Sequence, residues 1–109
     1  MHAGFEKVGT VYIQYVGVQN SLSFRTYSFH VLDPPRESRE FTVQVTSADF
    51  SPGRLKFQDG PEISSERLHR ELKVETTELP AQSDLHVSEQ DVRAYRTDHY
   101  PLPKPRDHK

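Results

Sequence analysis

The chain contains no cysteine, so disulfides, thiolate metal centres and a cysteine nucleophile are excluded. A cysteine-free chain suits a reducing compartment, and a cytoplasmic location is the expectation. Long apolar runs are also missing. The stretch opening at Val11 is broken by Gln14, whereas a bilayer span needs about 20 apolar residues. Neither a basic leader nor a small-residue cleavage site is present, so no signal peptide and no membrane partner are expected. Neither sign of charge dominates: 14 Lys and Arg face 16 Asp and Glu, a net charge of −2. No global cationic field is therefore available to draw in nucleic acid, which is disfavoured as a partner. The five glycines are scattered, so no Gly-rich loop is available to cradle phosphate.

What is there is a change of period. Up to Thr46 the apolar residues alternate as in strands; after Ser47 they fall at helical spacing, broken by turn residues. The expected fold is α+β: a three- or four-stranded antiparallel sheet in the N-terminal half, then two helices packed on one face of it. With 109 residues the chain fits one compact domain over residues 1–99, followed by a Pro-rich flexible tail over 100–109, extended like polyproline II.

The first strand is expected over Phe5 to Val18 and the second over Leu22 to Leu32, with a turn at Gln19-Asn20-Ser21. Leu22 and Phe24 fall on the opposite parity to Tyr27, Phe29 and Val31, which calls for a bulge near Arg25-Thr26 or for a strand buried on both faces at different ends. Asp33 to Ser38 is a loop around Pro34 and Pro35. Arg39 to Thr46 alternates cleanly, with Phe41, Val43 and Val45 inward and one face wet. Ser47 to Phe50 suits a helical turn, stopped by Pro52-Gly53. Arg54 to Gln58 alternates and suits a short edge strand with Arg54 and Lys56 outward.

The first helix is expected from Asp59, with Asp59 as N-cap, Glu62 completing a capping box and Pro61 in the first turn, ending between Lys73 and Glu75. Thr76 to Asp84 reads as loop. The second helix starts at Ser88 with Asp91 three residues on, and Val87 and Val92 form a hydrophobic staple. It ends by His99 or Tyr100, because Pro101 disfavours helix before it. The expected core comprises Val11, Ile13, Phe29, Val31, Phe41, Val43, Val45, Ile63, Leu68, Leu72, Val92 and Tyr95.

Chemistry-bearing motifs are few. The six histidines include no His-Glu-x-x-His pair, and a metal site would have to gather His30, His69 and His99 from distant segments. Ser51 is followed by proline and lacks the glycine frame of a nucleophile elbow, so it reads as a turn residue. Glu62, Glu66, Glu71 and Glu75 interleave with Arg67, Arg70 and Lys73 as a solvated helix face does. No catalytic residue, metal or cofactor is assigned, and an enzyme would need residues such as His30 or His69 converging from separate segments.

The expected function is that of a small non-enzymatic binding module, for a protein partner or for self-association as a homodimer. The candidate partner-contacting residues are Tyr12, on the wet side of the sheet, with Arg67, Arg70 and Tyr100. The alternative is a domain binding a small anionic ligand or nucleotide through a local patch of Arg36, Arg39, Arg54 and Lys56.

Overall fold

A computed structural model describes residues 5–8, 11–35 and 37–100. Arg36 and the Pro-rich tail from residue 101 onward lie outside the described residues. The fold is α+β, with a sheet first and two helices after it. Strands β1 (Phe5–Val8), β2 (Val11–Asn20), β3 (Phe24–Leu32) and β4 (Arg39–Thr46) form an antiparallel meander. Helix α1 (Gly60–Lys73) then crosses the sheet and delivers β5 (Asp84–His86), which pairs with β4 in parallel. The spatial order is β1-β2-β3-β4-β5. Helix α2 (Glu89–His99) closes the described chain.

One face of the sheet carries the core. Register places Tyr27, Phe29 and Val31 of β3 opposite Val43, Phe41 and Arg39 of β4, so their side chains share a face. Phe29, Phe41, Val43 and Val45 are almost fully buried there, each worth roughly 2 kcal/mol of burial. Helix α1 lies over β3, β4 and β5 and inserts Ile63 and Leu68; α2 adds Val92 and Tyr95. Val11 and Leu72 pack against this cluster but are only partly buried. The opposite face is open and polar, with His30 beside Glu40 at 3.6 Å and the Thr42 hydroxyl donating to Asp84 at 2.7 Å.

Phe5 to Val18 is not one strand: it turns back after Val8, so β1 pairs antiparallel with β2, Val8 opposite Val11. Four further local expectations change. The bulge lies in β2, not at Arg25-Thr26: Tyr15 pairs with Phe29 and Gly17 with Ser28, which leaves Val16 as the extra residue. The reason is that Leu22 is not in β3 at all but fully exposed at the hairpin turn. β3 therefore alternates without interruption, and β2 absorbs the slip. Arg54 to Gln58 is no strand. Leu55 is buried, and Phe57–Asp59 forms a 3₁₀ turn leading into α1. Residues Asp84 to His86, too short to show a period, form β5, with Leu85 buried opposite Val43.

The fourth change concerns Asp59, which does not cap α1 with its side chain. Its carboxylate is buried and committed elsewhere, as described below. Gly60 follows because Tyr27 leaves it no room: a Cβ there would stand 1.8 Å from the Tyr27 hydroxyl. The capping box of α2 is present as expected, with the Ser88 hydroxyl accepting from the Asp91 N–H and the Asp91 carboxylate accepting from the Ser88 N–H.

Candidate functional site

Two clusters of aromatic and charged residues flank the core, one built on an acid and one on a cation. The acidic cluster centres on Asp59. Its carboxylate accepts from the Lys56 backbone N–H at 2.8 Å, the Tyr95 hydroxyl at 3.1 Å and the Tyr100 hydroxyl at 2.8 Å. Asp59 is only 3% exposed, so these three donors replace its lost hydration. Burial, followed by the Asp59 and Glu62 carboxylates, holds the Tyr95 hydroxyl well above the ordinary tyrosine range. The Asp59 hydrogen bond is the main cause of the smaller rise at Tyr100.

Outside this core of bonds stand Glu62, Glu66 and His99. The two glutamates are one helical turn apart on α1, and His99 reaches them from the last turn of α2. His99 Nε2 lies 2.9 Å from Glu66 and Nδ1 lies 3.7 Å from Glu62, while the ring stacks on Tyr95 at 4.0 Å. The Glu66 hydrogen bond is the largest of the effects that raise the His99 pKa. Potential metal-ligand atoms of these three residues lie within 4.8 Å of one another. When protonated, the imidazole is a cation facing both carboxylates, and its contact with Glu66 ties the end of α2 to α1.

The second cluster centres on Arg25, at the far end of the β2–β3 hairpin. Register puts Arg25 on the helix-bearing face, opposite Val45 and two residues from Tyr27. Its Nε donates to the Tyr27 hydroxyl at 2.9 Å, and its guanidinium carbon lies 4.8 Å from the Phe57 ring centroid and 5.4 Å from that of Phe50. The two phenylalanine rings are 5.4 Å apart and tilted by 35°. Each cation–π contact contributes about 0.5–1 kcal/mol at such a partly exposed site. No carboxylate among the described residues pairs with Arg25.

Among the described arginines only Arg25 and Arg96 lack a carboxylate partner, and the Arg96 guanidinium is used on backbone carbonyls. Arg39, Arg54, Arg67, Arg70 and Arg93 each have a carboxylate partner, and Arg96 donates to the Gly53 and Arg54 carbonyls. Arg25, Phe50 and Phe57 line a groove of about 340 Å³ together with Ser47, Ser51 and the hairpin residues Asn20 and Ser21. Large apolar side chains are exposed around it: Val18 at 39%, Leu22 at 99%, Phe24 at 38% and Phe57 at 66%.

The residues singled out in the sequence are dispersed. Arg39 is held bidentately by Glu75, at 2.7 and 3.3 Å, just beyond the C-terminal end of α1. Lys56 stands before the N-terminal end of the same 14-residue helix, about 20 Å away along the helix axis, with its Nζ 4.7 Å from the Tyr100 ring. Arg54 bridges Asp49 at 2.9 Å and Glu89 at 2.6 Å. Of these candidates, therefore, Arg39 is separated from Arg54 and Lys56, and Arg36 lies outside the described residues.

Among the candidate partner contacts, Tyr12 is exposed on the open sheet face. Arg67 donates to the His86 carbonyl and Glu71, Arg70 pairs with Asp91 at 2.8 Å, and Tyr100 is part of the Asp59 cluster. Burial pushes the Asp91 carboxyl up, but hydrogen bonds from Arg70 and Ser88 outweigh it and leave the pKa lowered. Arg25, Phe50 and Phe57 were not legible as a site, because the strand and the two turns that supply them are brought together only by the fold. No protein-family model matches the chain, and none of the curated proteins does. No helix among the described residues is long and apolar enough to cross a membrane.

Proposed function

We propose that the chain is a non-enzymatic binding module that engages a protein partner through the β2–β3 hairpin end, in a cytoplasmic setting that its cysteine-free composition suits. The observation that carries this reading is the coincidence, at one place, of exposed apolar side chains and an arginine without a carboxylate partner. Val18 and Phe57 stand on the helix-bearing side, Phe24 on the open side and Leu22 at the turn. Interfaces favour this mixture of aromatic rings and arginine over lysine- and glutamate-rich surface. A fully exposed leucine contributes nothing to the core and gains only when something covers it.

The reading of a small anionic ligand on Arg36, Arg39, Arg54 and Lys56 has less support. Arg39 and Arg54 are neutralised by carboxylates, and Arg39 is remote from the other two described cations.

The test is capture from native lysate with the immobilised full chain and with a Leu22→Asp/Phe57→Asp double variant. Retention of one protein at equal stoichiometry by the unaltered chain, and its loss with the variant, supports the assignment. Undiminished retention by the variant overturns it. Sedimentation of the purified chain over a range of concentrations separates a second copy from a different partner.

A further inference from the structure

We infer that the Arg25 groove takes an acidic segment of a partner protein, with an Asp or Glu carboxylate on the Arg25 guanidinium and a neighbouring large apolar side chain against Phe50 and Phe57. The inference rests on the hairpin-end reading above and specifies the chemistry of the occupant.

Orientation is the first ground. The Nε–H of Arg25 is spent on the Tyr27 hydroxyl, and Tyr27 itself is buried at 1% exposure. That bond, with the Phe50 and Phe57 rings beside it, fixes the guanidinium plane in advance. The Nη1 and Nη2 groups have no acceptor among the described residues. A guanidinium fork with its free edge preset matches the two oxygens of a carboxylate, and little side-chain entropy remains to be lost on binding.

Charge is the second ground. One uncompensated cation matches one carboxylate. A phosphate dianion would need a second cation; Arg54 is already bridged to Asp49 and Glu89, and the Lys56 ammonium lies over the Tyr100 ring, in the acidic cluster. The Ser47 and Ser51 side chains line the groove and make no hydrogen bond to described residues, so they supply neutral donors for the carboxylate or the peptide backbone.

Size and exclusion complete the case. A groove of about 340 Å³ is at the small end of ligand sites and suits one or two side chains. The chain's own tail is a poor occupant, because residues 101–109 carry Lys104, Arg106 and Lys109 against Asp107 alone.

The experiment is an NMR titration of the ¹⁵N-labelled full chain with acetyl-Leu-Glu-Phe-amide, its Gln counterpart and inorganic phosphate. The Glu peptide should shift the resonances of Ser21, Arg25, Ser47, Ser51 and Phe57. The Gln peptide should bind at least about tenfold more weakly, and Arg25→Gln should remove that difference. Should Arg25→Gln fail to fold, Phe57→Ala is the substitute, since Phe57 is largely exposed; it should weaken the Glu peptide while leaving the Glu-over-Gln preference. Equal binding of the two peptides in the groove overturns the acidic specificity but leaves the hairpin-end reading standing. Equal competition by phosphate overturns the commitment to a carboxylate. No groove shift with either peptide overturns the inference, while capture from lysate judges the broader reading independently.

Discussion

Asp59 and Arg25 are both charged residues set among aromatic rings at the margin of the same core, yet they are used in opposite ways. Asp59 is buried, and all of its bonding partners come from within the chain: a backbone N–H and two tyrosine hydroxyls. Arg25 has one internal bond, to Tyr27, and lines a groove. A charge whose hydrogen bonds are complete within the fold contributes to stability and has nothing left to offer a ligand. A charge held in place but left incomplete contributes less to stability and retains bonding capacity.

The contrast can be broken or sharpened by substitution. The largest effect belongs to Asp59→Ala, which leaves the Lys56 N–H and the Tyr100 hydroxyl without their acceptor and the Tyr95 hydroxyl with Glu62 alone, at 3.3 Å. Urea unfolding should show a loss of about 3 kcal/mol; a loss below about 1 kcal/mol would mean that water replaces the carboxylate at no cost. Gly60→Ala comes next. Its Cβ would collide with a buried tyrosine that cannot swing away, and overpacking of this kind costs about 2 kcal/mol. The same variant paired with Tyr27→Ala should lose its additional cost, which thermal unfolding can check. Leu22→Asp, at a fully exposed position, should change stability by less than about 0.5 kcal/mol while weakening partner capture.

The smallest effect is a pH dependence at His99. Its folded-state pKa is raised, chiefly by the Glu66 hydrogen bond. An imidazole raised in this way contributes its stabilisation in full below the unfolded value and loses it as pH climbs through the folded one. The last turn of α2 should therefore exchange its amides faster, relative to the intrinsic rate, once the pH passes the His99 midpoint. An NMR titration should place that midpoint lower in Glu66→Gln than in the unaltered chain; identical midpoints would remove the Glu66 contribution.

Elements whose signals lie within a few residues were legible in the sequence. β4 showed itself through the strict alternation of Phe41, Val43 and Val45, and α2 through Ser88 with Asp91 and Val87 with Val92. The bulge at Val16 was hidden, because Val11 to Val16 is apolar on both parities and either register looks acceptable. β5 was too short for any period to appear. The role of Asp59 is hidden for a different reason. Its local context is that of a helix cap, while the tyrosines that claim it follow 36 and 41 residues later. Arg25 was obscured likewise: Phe50 lies in a turn and Phe57 in a segment with the alternation of an edge strand, and the burial of Leu55 pulls that segment onto the core. Charge count alone points to Arg39 and Arg54, which the fold neutralises, and not to Arg25, whose guanidinium bonds only the Tyr27 hydroxyl.

The most direct test is Arg25→Gln measured twice, for stability and for binding of acetyl-Leu-Glu-Phe-amide. The predicted result is an unfolding free energy lowered by about 1–2 kcal/mol, clearly less than for Asp59→Ala, together with loss of the preference for the Glu peptide. A fall in stability as large as that of Asp59→Ala, with peptide binding unchanged, would show that Arg25 is as much a part of the scaffold as Asp59.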